Sequence, residues 1–419
     1  MKGFFTREQT KSKSRPDGKT YSCASCGLYQ YVLSPRMEAH GNFKKGILNI
    51  GEGPGEDEDR KGKPWQGKVG RRLQRMYRRF GIDLFEDCLN INAVNCKPPN
   101  NRNPSDYEIA CCRAKVLNLI EQYQPHVIMV FGNAAIKSIL GHRWKKDLGG
   151  ITKWRGWTIP DRDLGVWVCP TYHPSFIERG QDEAVETIWE QDLERAFTKM
   201  DESLPKHEDE RNYVNIIKDE TEMEQVLNNV QMGNKGELAC VDYETTGLKP
   251  HARGHRIVAA GIATSSEQSY AFLMPKRKHQ RVKFGRLLAS QNVGKIAYNM
   301  KFEENWSQVR LGYGVQPWVW DGMLAAHILD NRQGICSLDF QVYTHFGVVD
   351  YSSHITPFLK GREPKNANSF NRIYDLIDKF GEDTLLEYCA LDTIFEFKLA
   401  QVQAEKLGLR LNGNRSVTV

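Results

Sequence analysis

Apolar residues gather in short runs divided by polar, Gly- and Pro-rich segments, and the runs change character midway along the chain. GILNI (46–50), LNINAV (89–94), HVIMVF (126–131) and VWVC (166–169) are short and nearly continuous, which predicts strands buried on both faces. Between them VGRRLQRMYRRF and CCRAKVLNLIEQY carry helical periodicity. Strands alternating with helices predict a parallel sheet covered on both sides, and such sheets bind ligands beyond the carboxyl ends of their strands. The segments that follow these strands are GEGPGEDED, NCKPPNNRNP, GNAA and PTYHPS, and three of the four contain groups fit for chemistry.

The second half opens with ELACVDYETTGL (237–248), RIVAAGIATS (256–265) and SYAFLMP (269–275), three runs with short breaks that predict an antiparallel meander. GKIAYNMKFEENW, the helix-like WDGMLAAHILD and a long helix over EDTLLEYCALDTIFEFKLAQVQAEKL follow, hence a mixed α/β domain. DESLPKHEDER (201–211) is charged, poor in large apolar residues and contains Pro, so it reads as a linker. The expected organisation is a basic arm (1–20), a first domain (21–200), the linker and a second domain (212–412).

Composition narrows the class. A chain of 419 residues is too long for one ordinary core. No apolar run approaches the roughly 20 residues needed to cross a bilayer, and the N-terminus lacks the apolar stretch of a secretory signal, so a cytoplasmic protein with no membrane partner is expected. Ten cysteines then suggest free thiols or metal ligation over disulfides. The net charge is only +6, but Lys68, Arg71, Arg72, Arg75, Arg78 and Arg79 crowd one helix and PKRKHQRVKFGR (275–286) forms a second basic stretch. Both suit a polyanion, and the first could hold phosphates flanking a displaced base; a solvated cationic face explains them equally well.

Asp242 and Glu244 alternate along one strand and therefore share a face, while Tyr388 and Asp392 lie four residues apart on one helix face. Adjacent carboxylates repel unless a cation lies between them, and acids gathered from distant segments are what two divalent metals need to clamp an in-line attack on a phosphodiester. VDYETTGL, YNMKFEENW and YCALD, in this order, resemble the three motifs of the tyrosine-bearing DEDD exonucleases, within the ribonuclease H-like fold. WDGMLAAHILD followed by SLDFQVYTHFG further resembles the proofreading domain of family A DNA polymerases, and the similarity covers about residues 213–410. It implies Asp242, Glu244 and Asp392 as ligands of two Mg²⁺ or Mn²⁺ ions, Tyr388 as the residue that orients water, and Asn299 as the polar residue of the second motif. Glu303 stands where that motif usually has Asp.

In the first half Cys23 and Cys26 form a C-x2-C pair, Cys96 follows a strand and Cys112 opens a helix; spacing alone favours zinc, and an iron–sulfur cluster has the same ligand needs. GEGPGEDEDRKGKPWQG (51–67), NAVNCKPPNNRNP (92–104) and YHPSFIERG (172–180) resemble the uracil-DNA glycosylases of family 4, which carry a four-cysteine [4Fe–4S] cluster. The match covers about residues 20–195 and includes both cysteine spacings. It implies cluster ligands Cys23, Cys26, Cys96 and Cys112; Cys111 is an adjacent competitor, while Cys88, Cys169, Cys240, Cys336 and Cys389 read as ordinary buried thiols. It further implies Trp65 stacking on the base, Asn92 reading its edge, His173 donating to its oxygen, Gly53 allowing close approach, and Glu52 and Glu58 placing water. Pro64-Trp65-Gln66-Gly67 departs from the usual Pro-Phe-Val-Gly, and Asn95 replaces a basic residue.

Together the two resemblances imply a replication or repair protein acting on DNA, at single-stranded or frayed 3′ ends and at uracil. It would be part or subunit of a bacteriophage-type family A polymerase, in the host cytoplasm if phage-encoded. The alternative is a glycosylase-like half that binds DNA or uracil without cleaving.

Overall fold

A computed structural model describes residues 21–411 apart from Gln181, Asn234, Lys235 and Pro364. The expected basic arm lies outside the described residues. Two compact units divide the chain: one runs to Pro205 and includes Tyr343–Asp350, and the other takes Lys206–Val342 and the residues from Tyr351 onward. Tyr343 joins the first unit because its hydroxyl donates to the buried carboxylate of Asp161 (2.7 Å), which also pairs with Arg143.

The first unit is built on a five-stranded sheet of β1 (Ile47–Gly51), β2 (Cys88–Asn92), β3 (Val127–Phe131), β4 (Ile159–Asp161) and β5 (Val166–Thr171), in the order β2-β1-β3-β5-β4. The strands β2, β1, β3 and β5 run parallel, and every residue in them is buried, as a sheet with helices on both faces requires. The edge strand β4 pairs antiparallel with β5 and contains Pro160, which an edge position tolerates.

The basic helix Lys68–Arg79 is less available to a polyanion than its sequence suggests. Lys68 and Arg72 pair with Glu178, Arg72 also with Glu186, and Arg79 with Glu190. The helix expected to open at Cys112 begins earlier, at Asp106, where Ser105 and Glu108 form a capping box.

The second unit holds a six-stranded mixed sheet of β6 (Val214–Ile216), β7 (Glu237–Thr245), β8 (Ile257–Ser265), β9 (Gln268–Leu273), β10 (Val293–Ala297) and β11 (Trp318–Asp321), in the order β11-β10-β7-β8-β9-β6. The meander β7-β8-β9 is antiparallel as expected, flanked by parallel pairs on both sides. Trp320 and Asp321 end β11, so the helix expected over WDGMLAAHILD begins only at Gly322, capped by the Asp321 carboxylate. The helix Glu382–Lys406 lies close over the sheet. A Cβ at Gly261, opposite Asp242 in β8, would come 2.8 Å from the Cys389 carbonyl, so glycine is what lets this helix approach the strand that carries Asp242. Cys336, expected to be buried, is half-buried in the loop before helix Leu338–Phe346. Among the described residues no helix is long and apolar enough to cross a membrane.

Two candidate active sites

Beyond the carboxyl ends of β1, β2 and β5, three loops of the first unit converge. Ala93 and Val94 donate their N–H groups to the carbonyls of Gly51 and Glu52, which knits the loop after β2 to the loop after β1. Gly53 packs against Val94, where a Cβ would fall 2.9 Å from Cγ2. Asn92 is buried at the end of β2, and its Oδ1 lies against Gly51. Glu52 and His173 come together over Gly132, whose φ of +84° and missing side chain leave space for both.

His173 is half-buried, and burial lowers its pKa from the ordinary 6.5. Its Nδ1 accepts the Ser175 N–H at 3.2 Å, so the proton of the neutral ring resides on Nε2, leaving an N–H donor. Glu58 Oε1 accepts the N–H groups of Gln66 and Gly67 at 2.8 and 2.9 Å, so this carboxylate clamps the loop that carries Trp65. Gln66 folds back onto the Pro64 carbonyl, while Trp65 is 5% exposed and packs into the core.

Cys23 and Cys26 form one turn of helix capped by Ser22 and Ser25. Burial pushes the Cys112 thiol up to about 12, and the neighbouring Cys26, Cys96 and Cys23 add to the shift. Cys96 accepts the Arg36 N–H at 3.1 Å. Cys111 also approaches this group, 3.8 Å from Ser25 Oγ.

In the second unit, carboxylate oxygens of Asp242, Glu244 and Asp392 all lie within 4.8 Å of one another. Burial pushes Asp242 up to about 6, and burial with mutual repulsion holds Glu244 and Asp392 well above the usual carboxylate range. Acids so close, two of them buried, cannot all ionise without a cation among them. Glu303 is buried near Asp242, and its Oε2 has no hydrogen-bond partner among the described residues. Asn299 adopts left-handed backbone (φ 76°), and its N–H and that of Met300 both donate to Asp321 at 3.1 Å, fixing the start of the helix that carries Glu303.

Three contributors escaped the sequence. The Tyr351 hydroxyl donates to Asp392 Oδ1 at 2.7 Å and its ring stacks on Tyr388 with centroids 6.2 Å apart. Asp321 anchors two helix starts at once. Glu396, one turn beyond Asp392, is buried and accepts the Cys240 thiol at 3.1 Å. Its four-residue step from Asp392 was the available signal; Tyr351 had none.

These geometries define a protein with one glycosylase-type and one nuclease-type unit. Residues 39–194 match the uracil DNA glycosylase superfamily model, and residues 214–407 match the 3′-5′ exonuclease model. A type-4 uracil-DNA glycosylase of Thermotoga maritima is 36% identical over 174 residues, covering 42% of this chain and 87% of the relative. Another, from Saccharolobus solfataricus, is 36% identical, covering 36% and 71%. Through its first half the chain belongs to the type-4 uracil-DNA glycosylase family. A DNA polymerase of Bacillus phage SP01 is 26% identical over 399 residues, with 87% of this chain and 40% of the polymerase covered.

Proposed function

We propose that the chain hydrolyses DNA from 3′ ends in its second unit and excises uracil in its first, in the service of replication or repair. The observation that carries the nuclease reading is the convergence of Asp242, Glu244 and Asp392. These three would hold two Mg²⁺ or Mn²⁺ ions, which when bound supply charge neutralisation and a hydroxide-like nucleophile. Tyr388 orients the attacking water, Tyr351 holds Asp392 in place, Glu303 would reach a metal or its water through its longer arm, and Asn299 fixes the loop beside it.

For excision, a flipped uracil is read at its edge by Asn92 and approached by the Gly53 backbone, in a slot bounded by Trp65. The His173 Nε2–H donates to the uracil oxygen as charge develops on the departing base, and Glu52 positions water at the sugar. Glu58 acts by holding the Trp65 loop.

Cys23, Cys26, Cys96 and Cys112 fit a four-thiolate ligand set. The similarity to type-4 uracil-DNA glycosylases supports a [4Fe–4S] cluster over zinc here. Cys96 and Cys112 would thereby join the loop after β2 to helix Asp106–Tyr123.

The similarity to the phage polymerase supports a role as part or subunit of a DNA polymerase; single-stranded or frayed 3′ ends are the substrate we assign to it and the cytoplasm its place. Labelled single-stranded DNA with one uracil, incubated with Mg²⁺ or EDTA and then with alkali, tests the reading. A ladder is expected only with Mg²⁺, and alkali-sensitive cleavage at uracil with or without it. A ladder in EDTA refutes the metal nuclease; uracil sites resistant to alkali refute the glycosylase. The purified protein should be brown; colourless protein with stoichiometric zinc would replace the cluster.

A further inference from the structure

The Trp65 indole lies where an entering base has to go. It stacks on the His173 imidazole with centroids 5.5 Å apart and planes inclined by 27°, and it meets Phe131 edge-on at 5.7 Å. It also presses on Gly51: a Cβ there would fall 3.0 Å from Trp65 Cζ2 and 2.4 Å from Asn92 Oδ1. A flat base between two rings needs ~3.5 Å on each face, ~7 Å in all, and the gap between Trp65 and His173 is too narrow.

Nothing polar holds the indole there, since its buried Nε1 has no hydrogen-bond partner among the described residues. The backbone beneath it is fixed. Trp65 has φ +59°, and a Cβ at Gly70 would come 2.0 Å from the Trp65 carbonyl oxygen, while Glu58 clamps the next two residues. The free movement left is rotation of the side chain, or release of the loop from Glu58.

We infer that Trp65 is a gate: at rest its indole fills the base slot, and a pyrimidine enters only when the side chain turns out. The inference rests on the glycosylase reading of this pocket and deepens it, because the cost of opening decides which bases gain entry. A base already unpaired or unstacked comes with less to overcome than one held in a duplex.

Trp65→Phe tests this in the full chain, since it keeps an aromatic ring against Phe131 while freeing the space of the second ring. Trp65→Leu serves as a second variant, and a cooperative melting transition shows that each is folded. Retention of radiolabelled free uracil in equilibrium dialysis is measured alongside excision from single-stranded uracil DNA. The expected result is at least tenfold stronger uracil retention by both variants than by the unaltered chain, with faster single-turnover excision by Trp65→Phe. Stronger retention without excision by any form supports the gate and sinks the glycosylase. Equal retention by all forms, retention by none, or excision slowed by Trp65→Phe overturns the gate; the last makes Trp65 the stacking platform.

Discussion

Asp242→Ala is expected to slow hydrolysis of single-stranded 3′ ends on the order of 10³-fold or more, because bound metals supply several kcal/mol of transition-state stabilisation and each ~1.4 kcal/mol is a factor of ten. Uracil excision in the other unit should be unchanged. Metal-free stability should rise, because the substitution removes one of several crowded, mutually repelling acids. The sign follows from proton linkage: Asp242 titrates near 6 when folded and near its ordinary 3.8 when unfolded. The folded state therefore holds more protons between those values, and the metal-free unit loses stability as pH rises through that window. Mg²⁺ should restore the loss in the unaltered chain and much less in Asp242→Ala. Melting curves with and without Mg²⁺ at pH 4 and 7, together with rates on end-labelled DNA, check both parts. Near-normal degradation by the folded variant would remove Asp242 from the ligand set.

His173→Leu should lower single-turnover uracil excision by about 10²- to 10³-fold, the usual cost of losing one donor to a developing anion, while leaving the nuclease intact. The same residue sets a pH limit. With its pKa held below 6.5 by burial, the ring is neutral from 6.5 upward, so its contribution should be level there and change only in more acid solution. Its effect on folding has a definite sign as well: the unfolded chain takes up a proton near 6.5 that the folded ring resists, so this site costs stability as pH falls below that value. A rate profile from pH 5 to 9, compared with that of His173→Leu, is the measurement. A protonation step centred at or above 6.5 that vanishes with the variant would contradict the neutral donor.

Much of both folds was legible because burial writes itself into composition. The continuous apolar runs of β1, β3 and β5 and the meander of the second sheet needed no knowledge of partners. The strands that escaped did so for physical reasons. β10 is interrupted by Lys295, which is buried only because its ammonium donates to the carbonyls of Ser290, Val293 and Gln316. β4 carries a proline, and β6 is three residues long. Asp242 with Glu244, and Tyr388 with Asp392, could be read from strand and helix periodicity. Tyr351 lies in an irregular segment with no period, and its bond to Asp392 spans 41 residues of chain. The two N–H groups that Glu58 Oε1 accepts, by which it holds the Trp65 loop, left no periodic signal in the sequence.

The glutamates along the basic helix carry a consequence for ionic strength. Lys68, Arg72 and Arg79 are already neutralised by Glu178, Glu186 and Glu190, leaving Arg71, Arg75 and Arg78 to displace counterions from a strand. With a slope of about −0.7 per neutralised phosphate for single strands, this helix should add roughly −2 to the log–log dependence of affinity on salt, where six free cations would add roughly −4. Binding through the first unit should therefore be weaker at low salt, and less sensitive to added salt, than binding through a helix with the same cations left unpaired.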